Sequence, residues 1–286
     1  MLLPKGSTHS KTKNSIRCQA RRIYSTDGAV EGRRETRVHS SLTQARHRPW
    51  ALPRTPWAIA QTWNDLLFAH WPMETEELRT HIPAHLAIDT FEGQAWLGVV
   101  PFRMSGVRLR GTPALPWLSA FPELNVRTYV RAGGKAGVWF FSLDAGNALA
   151  VGVARAWFHL PYYCARMSCA RRDGWTEYHS ERTHQGATSG EFGGRYRPAG
   201  EVFLANTGTL DYFLTERYCL FAADPEGRVI CGEIHHAPWR LQRAEAEFTR
   251  NTMAEAAALA LPDTGPLLHF SRRQEVVVWS PRRIAL

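Results

Sequence analysis

Residues 121–144 read FPELNVRTYVRAGGKAGVWFFSLD. The run with Val126, Thr128, Tyr129 and Val130, the Gly-rich turn Gly133 to Gly137 and the apolar run Val138 to Leu143 predict a β-hairpin. Glu123, Asn125 and Arg127 recur at period two, so they share one strand face. With an even number of loop residues, Val138, Phe140, Ser142 and Asp144 lie on that same face across the hairpin. Glu123, Asn125, Arg127, Ser142 and Asp144 then form one polar cluster, in which an acid orients Arg127 and a second carboxylate is left for acid–base work. An odd loop breaks the arrangement. The competing reading is a solvated face or a structural ion-pair network, which resembles a functional cluster in composition.

Outward from this hairpin, strands dominate. The segment Trp57 to Trp71 reads as a buried strand or strand pair. Glu74 to Arg79 is a short helix with acids in its first turn. Leu86 to Thr90 and Ala95 to Phe102 read as a hairpin around Phe91-Glu92-Gly93. Ala145 to Leu160 is the best helix, with Asn147 as cap, Leu149, Val153, Trp157 and Leu160 at helical spacing, and Pro161 as stop. Tyr162 to Ala170 and Trp175 to Thr183 form a hairpin about Arg172-Asp173-Gly174. Glu191 to Arg197 is a strand. Thr209 caps a short helix, Leu210 to Thr215. A further hairpin spans Arg217 to His236. Late strands at Glu245 to Thr249 and His269 to Trp279 flank an Ala-rich helical stretch, Met253 to Leu259. Interspersed short helices in a strand-rich chain imply a mainly β fold, a twisted antiparallel sheet closing as a barrel or sandwich around one core.

The chain has 286 residues and is 44% hydrophobic with 11 Trp, enough for a packed core. Residues 1–47 hold ten Lys/Arg against three acids, so the rest of the chain carries only +2 of the formal +9. That first segment, rich in Ser, Thr, Arg and Gly and without Trp or Phe, is expected to be a disordered basic tail. Residues 48–286 are expected to form one domain. The near-neutral body makes nucleic-acid binding unlikely except through the tail. No run is long and apolar enough to span a membrane, and no oligomeric state is read. Five cysteines without a CxxC pair argue against a disulfide framework or structural zinc and favour a reducing, cytoplasmic compartment.

The segments RPW (48–50), LLFAHWP (66–72), VPFRMSG (100–106), FPELNVRTYV (121–130), GVWFFSLDA (137–145), LTERYCLF (214–221) and EIHHAPW (233–239) resemble the YqjF-like family of uncharacterised proteins. That family in turn resembles the acetoacetate decarboxylase superfamily, which implies a β-barrel-like sheet around an apolar cavity. The decarboxylase mechanism uses a lysine Schiff base whose pKa is lowered by a second lysine. The Pro-Lys-Lys of that family falls on Pro161-Tyr162-Tyr163, and the four lysines of this chain (Lys5, Lys11, Lys13 and Lys135) lie elsewhere. The resemblance therefore implies the fold without the Schiff base. It also places Glu123 near the acid of the decarboxylase site.

Tyr162 and Tyr163 alternate, so only one faces a cavity, where its phenol is suited to a carbonyl or carboxylate. His159, beside Pro161, is a second candidate for that spot, against the plainer reading of a helix-end histidine. Adjacent His235 and His236 point to opposite faces of a strand, and Pro83 separates His81 from His85, so no metal site is expected. No nucleotide-binding or nucleophile-elbow motif occurs, and no cofactor is expected. The reading is a small-molecule-binding β domain. Glu123 and Tyr162 are its candidate acid–base groups, and Asn125, Arg127, Ser142, Asp144 and His159 its candidate ligand contacts. The alternative is a non-enzymatic interaction or structural protein.

Overall fold

The computed structural model describes residues 39–115 and 118–284. The strands are β1 (Ile59–Met73), β2 (Ala87–Ile88), β3 (Ala95–Leu109), β4 (Phe121–Ala132), β5 (Lys135–Ala145), β6 (Tyr162–Arg172), β7 (Trp175–Arg182), β8 (Glu191–Phe203), β9 (Cys219–Ala223), β10 (Val229–His236), β11 (Leu241–Asn251), β12 (Leu267–Val278) and β13 (Arg282–Arg283). Three helices interrupt them: α1 (Thr75–Arg79), α2 (Ala148–Phe158) and α3 (Leu210–Thr215). All strands join one sheet. Following the pairings from β5 through β6, β7, β8, β11, β12, β1, β3 and β4 leads back to β5, a closed ring. A second path, β5-β9-β10-β12, bridges the ring.

Two pairings, β5–β6 and β5–β9, are parallel, and the remainder are antiparallel. A parallel neighbour needs a crossover rather than a tight turn. α2 is that crossover between β5 and β6, and it therefore lies across the end of the sheet. Asn147 begins it, its side-chain oxygen accepting from the Leu149 and Ala150 amides at 3.1 Å. His159 ends it in the left-handed region at φ 52°.

The period-two pattern of β4 sorts its side chains onto two clusters. Leu124, Val126 and Val130 pack with Leu67, Leu97, Phe192 and Phe270, while Tyr129 faces Val138, Leu214 and Ile234. Each strand face thus buries into its own core, and that burial is the main favourable contribution to folding.

Several expectations change. Residues 1–38 of the expected tail lie outside the described residues, but the segment from His39 is already folded onto the sheet. Leu42 packs with Trp57 and Trp279, and the Ser41 carbonyl meets His235 Nε2 at 2.9 Å. The hairpin expected between 86–90 and 95–102 forms only at its turn, where Phe91 and Gln94 exchange both backbone hydrogen bonds at 2.9 Å around Glu92 and Gly93, and the flanking runs do not pair with each other. β3 pairs with β4 only as far as Leu97↔Thr128, which frees the β4 edge beyond it. β2 occupies that edge through Ala87↔Arg131 and Ile88↔Val130. The helical stretch expected at 253–259 is a single 3-10 turn, Glu255–Ala257, stopped by left-handed Ala258. Leu149 and Val153, two of the residues at helical spacing in α2, are exposed.

Candidate functional site

A cavity of about 510 Å³ lies between β4, β5, β1, α2 and the end of α3. Glu123, Asn125 and Arg127 form a ladder along one wall. They reach it because alternate residues of β4 point the same way. Aromatic side chains share the lining, among them Phe102, the cross-strand neighbour of Glu123, and Trp63 and Trp239. The Trp63 and Trp239 rings stack with centroids 5.8 Å apart.

The turn condition on which the cluster depends is met, yet the cluster does not form as expected. Ala132 pairs with Lys135, so the loop is the two residues Gly133 and Gly134. Both have positive φ, 54° and 73°, the conformation a two-residue hairpin needs and glycine adopts at least cost. The register then holds to Arg127↔Phe140 and shifts, with Val126↔Ser142 next. Phe141 is the extra residue of a β-bulge. A one-residue insertion turns every later side chain to the other face. Val138, Phe140 and Leu143 consequently line the cavity with Arg127 and Glu123. Ser142 and Asp144 are buried on the opposite face, which corrects their assignment to this site.

Asp144 instead meets Arg182 of β7 in a two-pronged pair, Nε and Nη2 each 2.7 Å from a carboxylate oxygen. Tyr163 covers that guanidinium at 4.2 Å. His159 is exposed and borders the same side, where a second cavity of about 550 Å³ lies. It does not line the cavity that holds Glu123. The alternation of the two tyrosines holds: Tyr162 enters the first cavity and Tyr163 the second.

Tyr162 donates its hydroxyl to Glu123 Oε2 at 2.9 Å. Burial raises the Glu123 carboxyl to about 8, the Tyr162 hydrogen bond and the nearby Asp144 acting as smaller opposing and reinforcing effects. Glu123 is thus a protonated acid near neutral pH. The Tyr162 hydroxyl is raised well above its usual value by burial and by Glu123.

Arg127 is 9% exposed and has no ion-pair partner among the described residues. The acid expected to orient it does not; Glu123 pairs with Tyr162. Its guanidinium lies over the Phe68 ring at 5.3 Å, and Nη2 donates to the Leu214 carbonyl at 3.5 Å. Its Nε and the Asn125 Oδ1 find no partner. Gly98 beside Arg127 makes room for His70: a Cβ there would sit 3.0 Å from His70 Cδ2 and 3.2 Å from its Nε2. A neighbouring guanidinium, Arg217, is neutralised by Asp89 at 2.6 Å.

Several lining residues escaped the sequence reading. Trp63 and Trp239 were counted as core, but both line the cavity with indole N–H groups that lack partners. His236 also lines it, held neutral at about 4 by burial, with Nδ1 2.8 Å from the Ala237 carbonyl. The alternation of Ile59, Gln61 and Trp63 in β1 was the available signal, since all three share the wall. Lys135, the lysine of the hairpin turn, pairs with Glu233 at 2.5 Å and does not line the cavity.

Comparison with known proteins adds three findings. The model of the DUF2071 family, described as an uncharacterised conserved protein, matches residues 60–275. The uncharacterised protein YqjF of Bacillus subtilis (strain 168) is 44% identical over 233 residues, which covers 82% of this chain and 95% of that protein. Two solved structures share the fold at 12% identity. One is the enduracididine biosynthesis enzyme MppR complexed with pyruvate, with TM-score 0.56, covering 87% of this chain and 98% of that one. The other is acetoacetate decarboxylase from Legionella pneumophila, with TM-score 0.54, covering 86% and 94%. The fold is that of the acetoacetate decarboxylases.

Proposed function

The chain belongs to the DUF2071 family of uncharacterised conserved proteins, which includes YqjF, and from that premise we propose that it binds a small, largely apolar molecule bearing a carboxylate or carbonyl, without Schiff-base decarboxylation. The observation that carries the reading is Arg127, a buried guanidinium with no carboxylate partner among the described residues, lining a mostly apolar cavity. A lone buried charge is costly, and the cost is relieved when an anion arrives. Guanidinium is suited to a carboxylate because it donates two parallel hydrogen bonds. The cavity volume is in the range of small-molecule sites.

Glu123 and Tyr162 supply the chemistry available at the wall. A protonated carboxyl beside a phenol donates a hydrogen bond to a carbonyl oxygen, and Glu123 is placed in the pKa range of a general acid or base. Amine catalysis is disfavoured because no lysine lines the cavity among the described residues. The pyruvate named with MppR fits the same chemical class, a small keto acid.

The test is a thermal-shift comparison of the wild type, Glu123→Gln and Arg127→Met against pyruvate, acetoacetate, hexanoate and hexanal. A ligand at a hundred times its Kd stabilises by about 2.7 kcal/mol, which for a domain of this size is roughly 5–10 °C in Tm. The expected result is a shift for at least one probe in the wild type and its loss in Arg127→Met, with the unliganded variant still folded. If no probe shifts the wild type, or Arg127→Met keeps the shift, the reading fails.

A further inference from the structure

The cavity has a direction. Pairing of β3 with β4 ends at Met104↔Phe121, and beyond it β3 runs on to Leu109 beside β1. Leu109, Leu115 and Leu118 are exposed and line the cavity. Across from them α2 presents Leu149 and Val153, 58% and 47% exposed, which also line it. These five residues mark the mouth. Seven large apolar residues are exposed among the described residues, and five of them stand here, so the exposure is concentrated at one feature. Arg127 lies six residues along β4 from Phe121, about 20 Å inward at the rise of an extended strand.

The wall between these ends asks for no second charge. Glu123, two residues inside the mouth, is protonated near neutral pH and hydrogen-bonded to Tyr162. Arg217, near the inner end, is already paired with Asp89. Arg127 is the buried cation without a carboxylate partner; Arg108, partly exposed beside Leu109, also lines the cavity without an ion-pair partner among the described residues, and the surface between the two is mostly apolar apart from Glu123 and Asn125. A two- or three-carbon acid at Arg127 would leave the mouth bare. A chain reaching the mouth would cover the apolar surface along the way and gain the free energy of removing it from water.

We propose that the cavity takes a linear amphipathic anion of the long-chain carboxylate class, its head at Arg127 and its chain running outward along β4 between α2 and the side chains of Leu109, Leu115 and Leu118. The proposal rests on the cavity being a carboxylate site and adds the chain and its direction.

Isothermal titration of the full chain with butanoate, octanoate, decanoate and decanol tests it. Burial of each added methylene should tighten binding about three- to four-fold, so affinity climbs steeply from butanoate to decanoate. Decanoate should bind more tightly than decanol. Arg127→Met should erase that preference while keeping the dependence on chain length, and Arg127→Lys should restore part of it. The double variant Leu149→Ser, Val153→Ser, changed at exposed positions, should weaken decanoate several-fold and leave butanoate unaffected. Butanoate binding as tightly as decanoate would overturn the proposal and leave the small-carboxylate reading standing. Equal affinity for decanoate and decanol, unmoved by Arg127→Met, would overturn the head placement. No binding by any probe would overturn both readings.

Discussion

Glu123→Gln isolates the electrostatics of the cavity wall. The carboxyl is raised from 4.5 to about 8, mainly by burial. A group whose folded value is raised contributes stability that is fully present below its unfolded value. That contribution is lost as pH rises, until the folded group itself ionises. Here the window runs from about 4.5 to about 8. Within it the unfolded chain releases the proton and the folded protein keeps it. The loss is about 1.4 kcal/mol per pH unit, or about 4 kcal/mol between pH 5 and pH 8. Glutamine does not titrate, and its carbonyl still accepts from Tyr162. The difference between variant and wild type therefore cancels the other titrating groups. Urea unfolding at half-unit steps from pH 5 to 8.5 measures it. The variant is expected to gain on the wild type steadily across the window, by several kcal/mol in total. Two stability profiles that stay parallel to within about 1 kcal/mol would refute a protonated Glu123.

Three further outcomes follow from the packing. Arg182→Met leaves the Asp144 carboxylate buried without its partner and should cost about 3–5 kcal/mol in unfolding free energy, part of which Asp144→Asn in the same chain recovers. Gly137→Ala places a Cβ 2.6 Å from the Cys219 carbonyl oxygen and from its Sγ, so β5 and β9 must part; a loss of about 1–3 kcal/mol by urea denaturation is expected. Asn147→Ala removes the cap of α2 and should cost about 1 kcal/mol, with faster hydrogen exchange at the Leu149 and Ala150 amides.

The opening hairpin shows how far residues alone reach. The turn glycines, the two strands and the shared face of Glu123, Asn125 and Arg127 follow from local chemistry, because glycine at positive φ and the two-residue period are properties of the segment itself. The bulge at Phe141 is not. Residues 138–141 are apolar throughout, so they carry no alternation whose break would reveal an inserted residue. What holds Asp144 on the far face is Arg182, 38 residues later in the chain, and that partnership belongs to the tertiary fold. The exposure of Leu149 and Val153 is hidden from the sequence for a related reason. A helical apolar stripe reads alike whether it meets a core or the mouth of a cavity, and the parallel β5–β6 crossover decides which. β2 fails for a third reason: its short run pairs wherever an edge is left free, and the edge of β4 is set by where β3 stops.

The central claim is that Arg127 receives the anionic group of a ligand inside this cavity. A crystal structure of the protein grown with a bromine-labelled alkyl carboxylate tests it most directly, because anomalous scattering locates the chain end independently of the head. The account predicts carboxylate oxygens within hydrogen-bonding distance of the Arg127 guanidinium and bromine toward Leu149 and Val153. A carboxylate seated in the second cavity beside Arg182 and Tyr163, with Arg127 untouched, would contradict it.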